Sequence, residues 1–214
     1  MLHSQKRMNL ASNLQSTESY SIRITDENLL DAIRKVPRHL FFHNWNVFLE
    51  DAIYQDIALP IGDGRTISRP YLTALMIQLL EIKPGEKVLE MGTGIGYSTA
   101  LLSSIGARTY TVEKNEEFYK KTQETLASSG FKNFRCFLSH AGDGLPHFAP
   151  YNKILIHKSV GKVSEELLAQ LTPGGIMVVP INNESRCELI RVTKNNEATI
   201  TTEIISNEFV FGAI

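Results

Sequence analysis

Three glycines spaced by two, Gly92, Gly94 and Gly96, follow the apolar run Lys87-Val88-Leu89-Glu90-Met91 and precede the helix-forming stretch YSTALLSSI. A strand, a tight turn and a helix N-terminus in that order bring backbone N–H groups close to a ligand. Seventeen residues beyond Gly96 a second apolar strand, TYTVE, ends in Glu113. A carboxylate there can accept hydrogen bonds from both ribose hydroxyls of a nucleoside. The pattern is Glu-x-Gly-x-Gly-x-Gly, whereas dinucleotide sites want Gly-x-Gly-x-x-Gly. It offers few N–H groups for a pyrophosphate and has no lysine for a triphosphate. Glu90, before the first glycine, can receive the ammonium of an amino-acid ligand, directly or through water. These features select S-adenosylmethionine, with S-adenosylhomocysteine as product, over NAD or ATP. The expected cofactor contacts here are Glu90, Gly92, Thr93, Gly94, Gly96, Glu113 and Lys114. Asp143, in the element His140-Ala141-Gly142-Asp143-Gly144, stands just after the third strand, where an adenine amino group would be read.

The elements that must position these residues follow from patterning. From Lys87 onward strands (KVLEM, TYTVE, FRCFL, KILIH, IMVVP) alternate with helices (YSTALLSSI, EEFYKKTQETLASS, SEELLAQL). The helix SEELLAQL stops before Pro173-Gly174-Gly175. Such alternation is the mark of a doubly wound α/β, Rossmann-like fold with a mostly parallel sheet. The tail, from CELIRVTK through TITTEIIS to EFVFGAI, loses the helices and reads as antiparallel strands completing a seven-stranded sheet. Upstream, LLDAIRKV is helical, with Thr25 as its N-cap and Pro37 as its stop. A second helix covers Tyr71 to Glu81. Between them PRHLFFHNWNVFLE is a packed loop or short helix, and AIYQDIALPIGDGRTISRPY, rich in Gly, Pro and Asp, is a long structured loop. A loop of that length in a compact domain usually lines a site.

A chain of 214 residues suits one structural domain with a full core. Three regions are expected within it: a polar leader over 1–22, a helical and loop region over 23–86 that contributes to the active site, and the cofactor-binding sheet over 87–214. The leader either stays flexible or folds against the domain. With 22 Lys plus Arg against 23 Asp plus Glu, no electrostatic pull toward nucleic acid or anionic membrane is expected. There is no apolar run of transmembrane length and no signal-peptide pattern. Cys136 and Cys187 are isolated, which fits a reducing, cytoplasmic setting. Cys136 alternates within a strand and reads as inert. Of the aromatic residues, Phe41, Phe42, Trp45 and Phe48 read as core, and His39 as structural. His140 and His147 lack metal-ligand spacing, so no metal is expected.

Beyond the glycine loop, the segments KVPRHLF, LPIGDGRTISRPY, VLEMGTGIGY, GDG, APYNKILI and LLAQLTPGGIMVVPI resemble, in the same order, those of the protein-L-isoaspartate O-methyltransferases. The resemblance spans about residues 20 to 212, and its most specific element is Thr66-Ile67-Ser68-x-Pro70. It implies an enzyme that methylates the carboxylate of L-isoaspartyl residues in proteins and peptides, after which the ester cyclises to a succinimide that can reopen to aspartate. It implies Ser68 as the active-site serine. It also implies Thr66, Ile67, Ser68, Gly92, Gly94, Gly96, Glu113, Asp143 and Gly144 at cofactor positions, and Ile61 on the substrate side. Monomer or weak homodimer is the expected state.

One segment departs from the family. Where it usually has a small-residue run after the fourth strand, this chain has His157-Lys158-Ser159-Val160-Gly161. By the rule for open α/β sheets the segment lies beside the cofactor, so His157, Lys158 and Ser159 join the substrate-side candidates. Lys158 either pairs with a substrate carboxylate or points to solvent, the latter being preferred. His157 narrows the pocket or caps a backbone group. Smaller departures are Ile181-Asn182, Arg69-Pro70 after the serine, and the closing FVFGAI. They leave two further readings open: the same fold acting on another acceptor such as lysine, or a cofactor-binding homologue without activity.

Overall fold

Residues Val88–Met91, Ile154–Ile156 and Ile176–Val179 are all buried, so their strands must lie inside a sheet covered on both faces. The computed structural model describes residues 2–16, 18, 20–42, 51–183, 186–207 and 209. Two strands, β1 (Leu59–Gly62) and β2 (Arg65–Ile67), form an antiparallel hairpin. Seven more form the main sheet: β3 (Lys87–Met91), β4 (Arg108–Glu113), β5 (Phe134–Leu138), β6 (Tyr151–Ile156), β7 (Leu171–Asn183), β8 (Arg186–Lys194) and β9 (Ile200–Ser206). Their order is β5-β4-β3-β6-β7-β8-β9. Pairing is parallel from β5 to β7 and antiparallel from β7 to β9. This is the mostly parallel α/β sheet with antiparallel C-terminal strands that the alternation demands.

Among the described residues six α-helices accompany the sheet: α1 (Leu2–Ser16), α2 (Glu27–Lys35), α3 (Pro70–Gln78), α4 (Tyr97–Ile105), α5 (Glu116–Ser128) and α6 (Glu165–Ala169). Alternate residues of the central strands feed two cores. Val88 and Val178 join α2, α3 and α4 on one side, while Leu89, Met91, Met177 and Val179 join α6 on the other. Strand order reverses between β4 and β6 on either side of β3, which opens a crevice at the carboxyl ends of those strands.

Several local expectations change. The polar leader is largely helix: α1 buries Leu10, Ala11 and Leu14 and lies on α2, where Arg7 Nε donates to the Arg34 carbonyl at 2.8 Å. The N-cap of α2 is Asp26 instead of Thr25, because the Asp26 carboxylate accepts from the Leu29 N–H at 3.1 Å. The Thr25 N–H goes instead to Gln78 Oε1 at 2.7 Å. The segment read as loop folds into the β1–β2 hairpin, whose turn carries three consecutive positive φ values at Gly62, Asp63 and Gly64. Helix α3 ends at Gln78, not Glu81, and Glu81 has φ 52°. Pro173-Gly174-Gly175 lies within β7, where the pairing with β6 shifts register between Tyr151 and Lys153.

Phe41 and Phe42 are buried as expected, and Phe41 meets Tyr97 edge-on at 5.9 Å. His39 is structural, with Nδ1 2.6 Å from the Tyr54 hydroxyl and its ring stacked on His3. Burial pushes the Cys136 thiol up to about 12, which fits an inert cysteine. Trp45, Phe48 and most of FVFGAI fall outside the described residues.

Candidate active site

All three loop glycines have positive φ: 97° at Gly92, 54° at Gly94 and 84° at Gly96. L-residues pay for that region through Cβ crowding. The Gly92 and Thr93 N–H groups donate to the Val112 carbonyl at 2.9 and 3.1 Å, fastening the loop to β4. Gly94 donates to Glu113 Oε2 at 2.9 Å, and a Cβ placed on it would meet nothing within 4 Å. A Cβ on Gly96 would lie 2.5 Å from Thr122 Cγ2. The two glycines therefore serve different ends, Gly94 clearing space above the loop and Gly96 letting α4 approach α5.

Glu113 is held from several directions. Its side chain is 3% exposed, and Oε1 accepts from the Lys114 N–H at 3.1 Å, the Asn115 N–H at 2.9 Å and Arg65 Nη1 at 3.0 Å. Arg65 reaches it from β2 and lies over the Phe118 ring, 5.1 Å from the centroid. Its part in the site is unreadable from spacing, because 48 residues separate it from Glu113.

These groups open onto a cavity of about 600 Å³ between the hairpin and the strand ends. Ten of the candidates line it: Ile61, Thr66, Ile67 and Ser68 from the hairpin side, Gly92, Thr93, Gly94 and Glu113 from the loop, and His157 and Lys158 beyond β6. Six do not. Gly96 packs on α5, and the Lys114 side chain is exposed. Asp143 is exposed, its carbonyl accepting from Gln170 Nε2 at 2.7 Å. Gly144 packs against Gln170 and Leu167, and Ser159 is buried. Lining residues beyond the candidates include Arg65, Arg69, Tyr97, Ser98 and Phe209.

Glu90 is the sixth, and it corrects an expectation. Instead of facing a ligand it is fully buried, accepting from the Ser98 hydroxyl, from Thr99 Oγ1 at 2.5 Å and from His157 Nε2 at 2.9 Å. His157 lines the cavity, as a residue that narrows the pocket would, and its ring bonds a carboxylate instead of capping backbone. Burial pushes the Glu90 carboxyl up, but the hydrogen bond and charge of His157, with the Ser98 and Thr99 hydroxyls, outweigh it and hold the carboxyl below its ordinary 4.5.

A depressed carboxyl stabilises the fold above its unfolded value and loses that contribution as pH falls through the folded one. Glu90→Gln is therefore expected to cost about 2 kcal/mol at pH 7. In urea melts the gap from wild type should narrow below the ordinary carboxylate range. An unchanged gap in acid would show that Glu90 is not ionised in the fold.

Lys158 is half-buried and lines the cavity. Burial pushes its ammonium down, as do the charges of Arg65 and Lys114, against the pull of Glu113. On the hairpin side Tyr20 donates to Asp56 Oδ2, and its phenol is pushed up to about 12 by burial and by that carboxylate. Tyr97 is likewise pushed up to about 12 by burial. Among the described residues no group of three or more His, Cys, Asp or Glu could hold a metal ion, and no helix is long and apolar enough to cross a membrane.

The cavity has the size of a small-molecule site. A fixed buried acid, open space over Gly94 and mixed polar and apolar walls suit a nucleoside bearing an amino-acid arm. The family model for protein-L-isoaspartate(D-aspartate) O-methyltransferase matches residues 8–211. The chain is 42% identical over 172 residues to the Flavobacterium psychrophilum protein-L-isoaspartate O-methyltransferase, covering 80% of this chain and 79% of that one. It is 43% identical over 180 residues to the Cytophaga hutchinsonii enzyme of the same name, covering 84% and 80%. A solved protein-L-isoaspartate O-methyltransferase superposes with a TM-score of 0.84 at 24% identity, over 99% of this chain and 65% of that longer one. A Plasmodium falciparum protein solved with S-adenosyl-L-homocysteine gives a TM-score of 0.78 at 19% identity, over 99% of this chain and 97% of that one.

Proposed function

The chain belongs to the protein-L-isoaspartate(D-aspartate) O-methyltransferase family, and from that premise we propose that it transfers a methyl group from S-adenosylmethionine to the free carboxylate of L-isoaspartyl residues in damaged proteins and peptides. The observation that carries this reading is that one cavity is lined both by the glycine loop with Glu113 and by Thr66-Ile67-Ser68. When bound, S-adenosylmethionine supplies an electrophilic methyl group, and S-adenosylhomocysteine remains after transfer.

The chain's own residues then have three tasks. Glu113 holds the ribose, exchanging Arg65 for its hydroxyls, while Gly94 leaves room for the cofactor. Ser68 orients the acceptor carboxylate, and Lys158 supplies positive charge that draws it in. No residue has to remove a proton, because a carboxylate with a reference pKa near ~4 is already ionised at neutral pH. Rate then comes from alignment and from excluding water.

The lysine-acceptor reading asks for a base beside the methyl group, since a lysine acceptor must first lose a proton from an amine of reference pKa ~10.4. Glu113, engaged with Arg65 and three N–H groups, is the one carboxylate lining the cavity among the described residues, and Tyr97 is held protonated.

Labelled S-adenosylmethionine with matched isoaspartyl, aspartyl and lysyl peptides tests the reading. Label on the isoaspartyl peptide alone is expected. Transfer to the lysyl peptide would favour the second reading, and tight cofactor binding without transfer would favour the inactive one. Ser68→Ala is expected to lower kcat about 10- to 100-fold, the worth of one hydrogen bond to a charged group, with S-adenosylhomocysteine affinity within about twofold of wild type. Equal losses in both would make Ser68 a cofactor ligand.

A further inference from the structure

Arg69 follows Ser68 directly and lines the same cavity, yet its charge is balanced in an unusual way. Three rings hold its guanidinium: Tyr20 at 4.9 Å, Tyr71 at 5.5 Å and Phe209 at 5.5 Å to their centroids. Tyr20 and Tyr71 are themselves stacked, with centroids 3.6 Å apart. Arg69 Nη1 donates to the Tyr20 hydroxyl at 3.3 Å. The acid in this cluster, Asp56, is engaged elsewhere, Oδ2 by the Tyr20 hydroxyl and Oδ1 by the Tyr71 N–H at 2.6 Å. Among the described residues Arg69 has no carboxylate partner, in contrast to Arg65 on Glu113. Cation–π contacts fix a guanidinium without using the edge-on N–H donors of its fork.

We propose that Arg69 is a specificity-determining residue that binds a second carboxylate of the substrate, so that isoaspartyl sites flanked by an acidic residue are preferred. This rests on the isoaspartyl reading of the site. The partner cannot usefully be the methyl acceptor. A guanidinium grips a carboxylate in a two-pronged, charge-assisted contact, which would occupy both oxygens and quench the charge that makes one nucleophilic. Ser68 and Arg69 line one cavity, so a carboxylate held by Arg69 belongs to a part of the substrate near the acceptor, such as a neighbouring Asp or Glu. The aromatic cage supplies preorganisation, since the fork need not be ordered on binding.

The test uses two pairs of isoaspartyl peptides. In one pair Glu or Gln precedes the isoaspartyl residue, and in the other Glu or Gln follows it. Peptide binding is read by calorimetry in the presence of S-adenosylhomocysteine, and KM by methyl transfer. In at least one pair the Glu peptide is expected to bind the wild type about tenfold more tightly than its Gln partner, the effect of one charge-assisted contact at a partly exposed site. Arg69→Gln should bring the ratio to unity and Arg69→Lys should restore part of it, both variants melting as cooperatively as wild type. Equal binding of Glu and Gln peptides in both pairs overturns the proposal, as does a ratio that survives Arg69→Gln. A binding ratio that follows Arg69, in peptides that are never methylated, would uphold the subsite and contradict the isoaspartyl transfer reaction instead.

Discussion

Gly94→Val is expected to abolish cofactor binding in a protein that remains folded. The Cβ position of Gly94 points into open space, so no neighbouring atom clashes with a side chain there. That space is the floor of the cavity, beside the Glu113 carboxylate. A valine at φ 54° adds backbone strain of about 1–2 kcal/mol, which a domain with about 5–15 kcal/mol of total stability survives. Its two methyl groups, however, take volume that a bound nucleoside requires. Calorimetry with S-adenosylhomocysteine should show affinity falling by about 100-fold or more, or about 2.8 kcal/mol, while thermal unfolding stays cooperative. Retained affinity would mean that the ligand does not lie over this glycine.

Gly96→Val, two residues on, is expected to fail in the opposite way. Its Cβ would lie 2.5 Å from Thr122 Cγ2 and 3.4 Å from Leu126 Cδ1. Thr122 is fully buried and its hydroxyl is tied to the Gly94 carbonyl at 2.7 Å, so it has little room to yield. Overpacking of this kind combined with left-handed strain is expected to cost about 3 kcal/mol or more. Urea melts should show the midpoint lowered in the absence of any ligand, and Gly96→Ala should show a smaller loss of the same kind. An unchanged midpoint would show that α4 and α5 are free to separate. The pair of variants divides one motif into a residue kept for the ligand and a residue kept for packing.

The division was not visible in the sequence, where the three glycines look alike, although the motif itself and the strands around it were. Strong local signals explain what could be read: five apolar runs bounded by turn residues, a glycine triplet at a strand end, and an acid at the next strand end. The sheet follows from these with no long-range information. What escaped reading depends on residues far apart in the chain. Glu90 and His157 are 67 positions apart, and their pairing turns a presumed ligand for an ammonium into a buried ion with three partners. Arg65 and Glu113 meet only because the hairpin folds over the end of β4.

The hairpin did carry a signal, the Asp63-Gly64 pair inside Gly62-Asp63-Gly64, a turn sequence suited to positive φ. The flanking prolines and glycines made the whole segment read as loop. Helix α1 escaped for the converse reason: it buries three small or aliphatic residues on an otherwise polar segment, and tertiary contact decides its place more than amphipathic pattern does.

The cavity joins two sets of residues with different duties. In the proposed reaction Glu113 and the glycine loop hold the methyl donor, while Ser68, Arg69 and Lys158 select the acceptor. His157 touches both sets. From its position after β6 it belongs with the acceptor, yet its bond to Glu90 makes it part of the wall behind the loop.

The chemical fate of an isoaspartyl peptide tests the central claim most directly. The peptide is incubated with the protein and S-adenosylmethionine, and products are followed by chromatography and mass spectrometry. The expected result is a methyl ester that is labile to base, decaying through the succinimide to a mixture containing the aspartyl peptide. A methyl group stable to base, or an isoaspartyl peptide left unmodified by protein that binds S-adenosylhomocysteine, would contradict it.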